Sequence, residues 1–466
     1  MAVAAGTLAG TLAIAGAQTS PLVPVLALAV AGVIALALAR PIVAIYLAVL
    51  LIPLEAASAR FGGFGLSPPE FVALVAAAAW LLRRIAEGGS SLRSPLTLPL
   101  IALLAAQIPG LFLADDRFAV LQQLGMWSAF FVIFLAVLSD RGRNTSEITM
   151  GVIAAAGGIV AAIAVAQSAG GSQQVFDFGG VVEGRATGSF GGPTALGIFV
   201  VMTVPLQIVF MLRGRSPWVR LGAGAATILS ILALSLALTR SAYVALGVVA
   251  VWLIVAWRPA RRLALVVAVL FCILVVTRFN PASSVVDTNV LLQRISSIST
   301  PQTHTAQTRL QLWQATPQMI EDNLPFGVGA KNYPLHAPQY GLIFPGGPVA
   351  SGHAYLHAHD VVLTIGAELG VPGLIALAWI VVALAGALMR GLRLEEPSHS
   401  LAIGVTGAFL AIAVDGIFDY SFGTNAIFLT VMLLVACAAR LEREASVSET
   451  VPRHAIALRG REPAAA

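Results

Sequence analysis

The residues with the clearest capacity for chemistry form a histidine cluster late in the chain. The segment Ser351-Gly-His353-Ala-Tyr-Leu-His357-Ala-His359-Asp360 runs directly into an apolar stretch. In a helix, His353, His357 and Asp360 would share one face, and His359 would point elsewhere. Imidazole titrates near neutral pH, so a histidine beside a carboxylate suits general-base catalysis at a membrane surface. The alternatives are histidines that only line the start of a helix, or a metal site, for which the sequence lacks the HExxH pattern and a further ligand set.

Three arginines have the chemistry to bind phosphate groups. Arg240 lies between two apolar runs, Arg185 precedes another, and Arg309 opens the segment Arg309-Leu-Gln-Leu-Trp313. A guanidinium offers a planar, permanently charged fork that matches phosphate oxygens. Each arginine alone is more simply explained as a side chain that reaches the headgroups or pairs with an acid such as Glu183. A charge between two spans is costly unless it is used, so Arg240 is the strongest candidate, and the three together predict a diphosphate site.

Four acids lie within or beside the apolar runs: Glu70, Glu368, Asp415 and Asp419. Intramembrane acids often mark ion or proton pathways, so they raise a transporter as an alternative class. Each acid also has a structural interpretation, which we favour. Glu70 begins a helix, where a carboxylate is stabilised, and Glu368 precedes a Gly- and Pro-containing segment that predicts a broken helix. The sequence contains no phosphate-binding loop and no dinucleotide fingerprint, so we expect no nucleotide cofactor.

The elements that position these side chains must be membrane helices. Of the 466 residues, 58% are hydrophobic and only 11% are charged, against about 25% charged in soluble domains. A spanning helix takes roughly 20 residues. The apolar runs predict an all-α fold, a polytopic integral membrane protein with 12–14 transmembrane helices and one large outer-face loop. The net charge of +5 does not indicate nucleic acid, because a positive excess in such a protein marks cytoplasmic connections.

The distribution of arginines predicts the orientation. They concentrate on alternate connections, which the positive-inside rule places in the cytoplasm: Arg83, Arg84 and Arg93; Arg141 and Arg143; Arg213, Arg215 and Arg220; Arg258, Arg261 and Arg262; Arg390 and Arg393. The histidine cluster and the three candidate arginines then face outside. We expect N-terminal transmembrane helices over 1–278, a large extracytoplasmic loop over 279–358 with a helix at 307–321, C-terminal transmembrane helices over 359–441, and a disordered cytoplasmic tail over 442–466.

Four motifs resemble, in the same order, those of the O-antigen ligase and polymerase family. The segment from Arg185 to Thr194 resembles R-x-x-G-x-F-x-x-P-N, and Thr239-Arg240-Ser241 resembles the S-R-G turn. Arg309-Leu-Gln-Leu-Trp313, with the Pro- and Gly-containing segment 325–329, resembles the family's R-x-x-x-W element and the turn after it. The segment from His357 to Gly373 resembles H-x-H-N … E-x-G-x-x-G. This sequence departs from the motifs at Thr194 and Asp360, where Asn is usual, and at Ser241, where Gly is common.

The resemblance implies glycan transfer on the outer face of the bacterial inner membrane. In that family the donor is a glycan on undecaprenyl diphosphate, the reaction is inverting, and neither a metal nor a cofactor is needed. The acceptor hydroxyl belongs to lipid A–core, to another lipid-linked glycan or to a protein. The resemblance also implies that Arg240 and Arg309 bind the donor diphosphate, and Arg185 is the third candidate for this site from its residue type and position. His359 or His357 would be the base, and we choose His359 because it occupies the family's second histidine position.

Three other functions stay open on the sequence alone. A polymerase of the same family differs from a ligase only in its acceptor. A transporter of lipid-linked glycan would bind the same donor without a catalytic base; such proteins often have inverted repeats and paired broken helices, whereas this sequence indicates one broken helix. A metal-dependent membrane hydrolase is the third alternative.

Overall fold

The structure is a computed structural model, and it describes residues 22–57, 59–61, 64–88, 92–177, 182–263, 265–267, 269, 304–342 and 356–450. It confirms the predicted all-α polytopic fold class. The α-helices are α1 (Leu22–Ala39), α2 (Pro41–Leu50), α3 (Pro68–Glu87), α4 (Thr97–Ala105), α5 (Gly110–Leu113), α6 (Arg117–Ser139), α7 (Thr145–Ala169), α8 (Pro193–Arg213), α9 (Pro217–Ala237), α10 (Arg240–Ala256), α11 (His304–Asp322), α12 (Tyr333–His336), α13 (Val361–Gly391), α14 (Ser398–Phe418) and α15 (Asn425–Thr450). Short 3-10 turns lie at Ile52–Leu54, Arg258–Ala260, Ala337–Tyr340 and Ser421–Gly423. Two antiparallel hairpins pair β1 (Ala59–Phe61) with β2 (Phe64–Leu66), and β3 (Gln174–Asp177) with β4 (Val182–Arg185).

Seven helices among the described residues are long and apolar enough to cross a membrane: α6, α7, α8, α9, α13, α14 and α15. Four shorter apolar segments accompany them, at Ala27–Ala39, Pro41–Leu50, Thr97–Leu113 and Arg240–Ala256. The total of 12–14 spans stays a prediction. The apolar run over residues 2–17 and most of the run after Leu263 lie outside the described residues.

Helix α8 occupies the centre of the bundle. Every residue from Leu196 to Val209 is buried, and the helix packs against α7, α9, α10 and α14. Its close approach to α7 depends on Gly157, because a Cβ atom there would overlap the side chain of Thr203. Close packing of this kind drives helix association in lipid. Since α8 begins at Pro193, this rigid central helix also fixes the end of the loop that carries Arg185.

A small subdomain outside the bundle is built on α11. The sequence predicts a helix over 307–321, and the structure has one over His304–Asp322. The ring of Tyr333 is fully buried in the subdomain core, and its hydroxyl lies 2.8 Å from Thr316 Oγ1. Residues 279–303 and 343–355 of the predicted loop, including His353, lie outside the described residues.

Helix α13 is broken at Gly370, as the sequence predicts. Gly370 has φ +61°, a left-handed conformation that favours glycine, and a Cβ atom there would overlap the carbonyl oxygen of Pro325. The segment after α11 packs into the break: Val328 N–H donates to Ala367 O at 2.8 Å, and Val371 N–H donates to Pro325 O at 2.9 Å. The turn and the broken helix therefore form one unit, which holds α11 close to the start of α13.

The C-terminal helix extends further than the sequence indicates. The sequence predicts a disordered tail from residue 442, but residues 442–450 are the last part of α15. Arg440 donates to the carbonyl oxygens of Val137 and Asp140 at the end of α6. Glu442 Oε1 lies 3.1 Å from Arg390 Nε. These polar contacts hold the helix beyond its apolar stretch, and a hydropathy pattern cannot reveal them.

Candidate active site

His357 and His359 lie side by side at one end of the bundle, which we call the histidine end. Helix α13 begins only at Val361, and Asp360 is its N-cap, with Oδ1 accepting from Leu363 N–H at 2.8 Å. Residues 356–360 are therefore not helical, and the shared helical face considered for His353, His357 and Asp360 does not form there. The two imidazoles do not point apart, because their ring centroids are 4.3 Å from each other. The Asp360 carboxylate caps the start of helix α13 and does not orient the imidazoles.

The turn that presents both rings is fixed by its backbone. His359 has φ +52°, a left-handed conformation that is uncommon outside glycine but more accessible to histidine than to most residues. Trp313 Nε1 in α11 donates to the carbonyl oxygen of His359 at 3.4 Å. Ala358 N–H donates to Thr364 Oγ1 at 3.2 Å. Helix α11 and the first turn of α13 thus hold the segment on both sides.

Asp419, at the end of α14, completes what we call the His–Asp cluster: His357, His359 and Asp419. Its Oδ1 lies 2.8 Å from His359 Nδ1 and 3.9 Å from His357 Nδ1. An ionised carboxylate only accepts, so the short contact assigns a proton to His359 Nδ1 and leaves Nε2 as the basic nitrogen.

The charge state of Asp419 follows from its neighbours. Burial acts to raise its pKa, but the hydrogen bond from His359 and the electrostatic effects of His359, His357 and Arg309 outweigh burial and hold the pKa well below its usual range. The backbone N–H of Tyr420 also donates to Oδ1, at 2.8 Å. Asp419 is therefore ionised at neutral pH.

The His357 imidazole accepts a hydrogen bond from the backbone of His359. Its Nδ1 accepts from the backbone N–H of His359 at 3.2 Å, and its side chain is 21% exposed. Burial, followed by positive charge at His359 and Arg309, lowers the pKa of His357 to about 4, although Asp419 acts in the opposite direction. His357 is consequently neutral at neutral pH.

Arg240 stands at the start of α10, directly after a tight turn. Leu238 in this turn is left-handed, with φ +51°. The guanidinium of Arg185 donates to two carbonyl oxygens of the turn, each at 2.9 Å, and Thr239 Oγ1 donates to Pro193 O at 3.0 Å. Arg185 thus clamps the turn that positions Arg240, a use that the sequence analysis did not anticipate.

Arg309 connects the arginines with the His–Asp cluster. Burial lowers the pKa of Arg185 to about 10, and the positive charges of Arg240 and Arg309 act in the same direction. The charge of Arg309 also acts on His357 and Asp419. Trp313, four residues after Arg309 in α11, contacts His359 O at 3.4 Å, and Arg185 holds the turn before Arg240. Together with these electrostatic effects, which weaken with distance, the contacts place the three arginines and the cluster at the same end of the bundle.

The His–Asp cluster has two chemical possibilities. One ligand atom from each of its three residues lies within 4.8 Å of the others, so the cluster could hold a metal ion. The Nδ1 atoms of both histidines, however, make direct hydrogen bonds at 2.8 and 3.2 Å. This arrangement favours an imidazole base oriented by a carboxylate, beside guanidinium groups that suit a phosphate.

Asp419 is the one residue of the His–Asp cluster for which the sequence predicts no catalytic role. Its position near a span favours a structural role, as for the other acids near the spans. One signal was available: the arginine distribution places Asp419 at the outer end of its span, on the side predicted for His359. Spacing gave no indication of the pairing, because the two residues are 60 positions apart.

Comparison with protein-family models gives a match over part of the chain. Residues 225–378 match a model described as O-Antigen ligase. The matched region contains Arg240, Arg309, His357 and His359, whereas Arg185 and Asp419 lie outside it. No curated protein matches the chain.

Proposed function

We propose that this chain transfers a glycan from undecaprenyl diphosphate to an acceptor hydroxyl. The match over residues 225–378 and the four motifs support its place in the O-antigen ligase/polymerase family, and the proposal proceeds from that membership. The reaction takes place on the outer face of the bacterial inner membrane. One observation carries the proposal: the imidazole of His359 is oriented by Asp419 at the end of the bundle that also holds Arg240 and Arg309. A base and a cationic diphosphate site are the two groups that this transfer requires.

The proposed reaction balances with the groups of this chain. The acceptor oxygen attacks the anomeric carbon of the donor sugar and forms the new C–O bond. The bond from that carbon to the diphosphate oxygen breaks, so the configuration inverts and undecaprenyl diphosphate leaves with the electron pair. His359 Nε2 takes the proton of the acceptor hydroxyl and later releases it to water. A positioned base of this kind contributes about 10²–10⁴-fold to the rate.

The arginines act on the leaving group. Arg240 and Arg309 neutralise the charge that grows on the diphosphate, an electrostatic contribution of several kcal/mol at a site with little water. Arg185 adds positive charge and holds Arg240 in place through the clamp on the turn. Asp419 keeps His359 in the correct tautomer and stabilises the imidazolium that forms. None of these steps uses a metal ion.

A reconstituted assay tests the proposal. Purified protein in lipid nanodiscs is incubated with an undecaprenyl-diphosphate glycan and, in turn, lipid A–core, a second lipid-linked glycan and a protein acceptor. We expect transfer with one of them, unchanged by EDTA. Product size separates a ligase, which adds one block, from a polymerase, which extends a chain.

The same assay separates the rival functions. Donor binding without any product would favour a transporter. Activity that EDTA removes and Zn²⁺ restores would favour a metal ion in the His–Asp cluster.

A further inference from the structure

A second polar site lies at the C-terminal end of α11. A cavity of about 280 Å³ opens between the segment that precedes α6 and the segment that follows α11. Its polar lining includes Asp115, Asp322, Asn323 and His336, and its apolar lining includes Phe326. None of its lining residues belongs to the His–Asp cluster or to the three arginines, so the mechanism above leaves this cavity unused.

The walls of the cavity are held in place by contacts behind them. Asn332, which is fully buried, accepts from Asp116 N–H at 2.8 Å through Oδ1 and donates to Asp116 O at 3.1 Å through Nδ2. Gly329 packs so closely against Gly110 that a Cβ atom on Gly110 would lie 3.2 Å from its Cα. The subdomain and the bundle are therefore locked together here, and a ligand meets a preformed site.

The lining combines hydroxyl-binding groups with an apolar surface. Asp322 Oδ2 accepts from the Tyr340 hydroxyl at 3.2 Å, and Asp115 Oδ2 lies 3.2 Å from His336 Nε2. An ionised carboxylate has about four acceptor positions, so both acids keep capacity for hydroxyl donors of a ligand. Phe326 is 40% exposed and offers a flat apolar face. Hydroxyl groups around an apolar ring face are the chemistry of a sugar.

The lining of the cavity does not suit a diphosphate or a calcium ion. Two carboxylates disfavour a diphosphate, because like charges repel. A calcium ion takes 6–8 oxygen ligands, and apolar walls such as Phe326 cannot supply them. Along α11, Asp322 follows Arg309 by 13 residues, a rise of about 20 Å. The cavity therefore lies well away from the diphosphate but within reach of an extended glycan.

We propose that this cavity is a sugar subsite that binds a glycan several residues away from the reacting carbon. The inference rests on the proposed function for the source of the glycan, which is either the donor or the acceptor. Sugar binding itself does not depend on that function. Both sources share the same chemistry, and the second experiment below distinguishes them.

The first experiment measures binding without transfer. Oligosaccharide is released by mild acid from the lipid-linked donor, so that it carries no diphosphate, and is titrated into the full-length protein in nanodiscs. We expect saturable binding by the wild type and at least about a tenfold loss for Phe326→Ala and for Asp322→Asn, since one ring contact or one charge-assisted hydrogen bond contributes on that order. Glu321→Gln, which neutralises an exposed acid outside the cavity, is the matched control and should bind normally.

Two binding results overturn the subsite. One is absent oligosaccharide binding, or equal binding by wild type, Phe326→Ala and Asp322→Asn. The other is binding of Ca²⁺ alone, lost in Asp322→Asn, without binding of the oligosaccharide.

The second experiment measures KM in the transfer assay. An increase of KM for the donor alone in Phe326→Ala assigns the subsite to the donor glycan, and an increase for the acceptor alone assigns it to the acceptor. Normal KM for both substrates would overturn the subsite. Oligosaccharide binding by a protein that gives no transfer would refute the proposed function and leave the subsite standing.

Discussion

Substitution of Asp419 by Asn tests the carboxylate that orients the proposed base, His359. In the wild type, Asp419 Oδ1 lies 2.8 Å from His359 Nδ1. Asn has a similar shape but no charge, and its amide can present a donor where the carboxylate only accepts. The imidazolium that forms when His359 takes the acceptor proton then loses its counter-charge. We expect kcat to fall about 10²–10⁴-fold, which corresponds to about 3–5 kcal/mol of transition-state stabilisation.

The assay records initial transfer rates as a function of donor concentration. Because Asp419 contacts the base and not the diphosphate, KM for the donor should change by less than about threefold. Asp360→Asn is the matched control: it makes the same chemical change one residue from His359, and Asn still caps a helix. Its kcat should stay near the wild-type value. Wild-type kcat in folded Asp419→Asn, or an equal loss in Asp360→Asn, would show that Asp419 does not orient a catalytic base.

Three further predictions follow from the same contacts. Arg240→Gln should lower kcat/KM in the transfer assay about 10²–10³-fold by removing charge from the leaving group, whereas Arg220→Gln, on the predicted cytoplasmic side, should not; equal effects would contradict the diphosphate role. Gly370→Ala should lower the free energy of unfolding by about 3 kcal/mol, because it adds a Cβ atom against Pro325 O at a left-handed position; chemical denaturation compares it with Gly386→Ala, which has open space in the same helix and should not be destabilised. The pKa of His357 is about 4 in the folded chain and about 6.5 when unfolded, so the unfolded chain binds the proton first and stability falls as pH drops from about 6.5 to 4. Thermal unfolding in detergent at pH 7 and pH 5 should show this decline in the wild type and a smaller one in His357→Gln. The same decline in both proteins would show that His357 is not its source.

Most of the fold could be predicted because lipid imposes a simple rule on composition. Long apolar runs must become helices, since every backbone polar group in the bilayer needs a partner within its own segment. The helix over His304–Asp322 and the break at Gly370 were also predictable, from a polar helical stretch and from Gly and Pro within an apolar run. The end of α15 was not, because Arg440 and Glu442 are held by side-chain contacts with other helices. Hydropathy indicates only the apolar stretch of a helix, and polar contacts can extend the helix beyond that stretch.

The site was predictable in its parts and less so in its geometry. The arginine distribution assigns the histidines and Arg240 to one side, because the positive-inside rule acts on every short connection. The left-handed turn at His359 depends on contacts from Trp313 and Thr364, and these are tertiary. For the same reason the sequence predicts neither the bond from His359 to Asp419 nor the clamp of Arg185. Each of these joins segments distant in sequence, and a helical-face argument sees only neighbours within a few residues.

A structure of the protein with undecaprenyl diphosphate bound tests the proposed diphosphate site most directly. We predict the diphosphate against the guanidinium groups of Arg240 and Arg309, on the same side of the bundle as His359 Nε2. A diphosphate bound at the opposite end of the bundle, or at the histidine end without contact to either arginine, would contradict it.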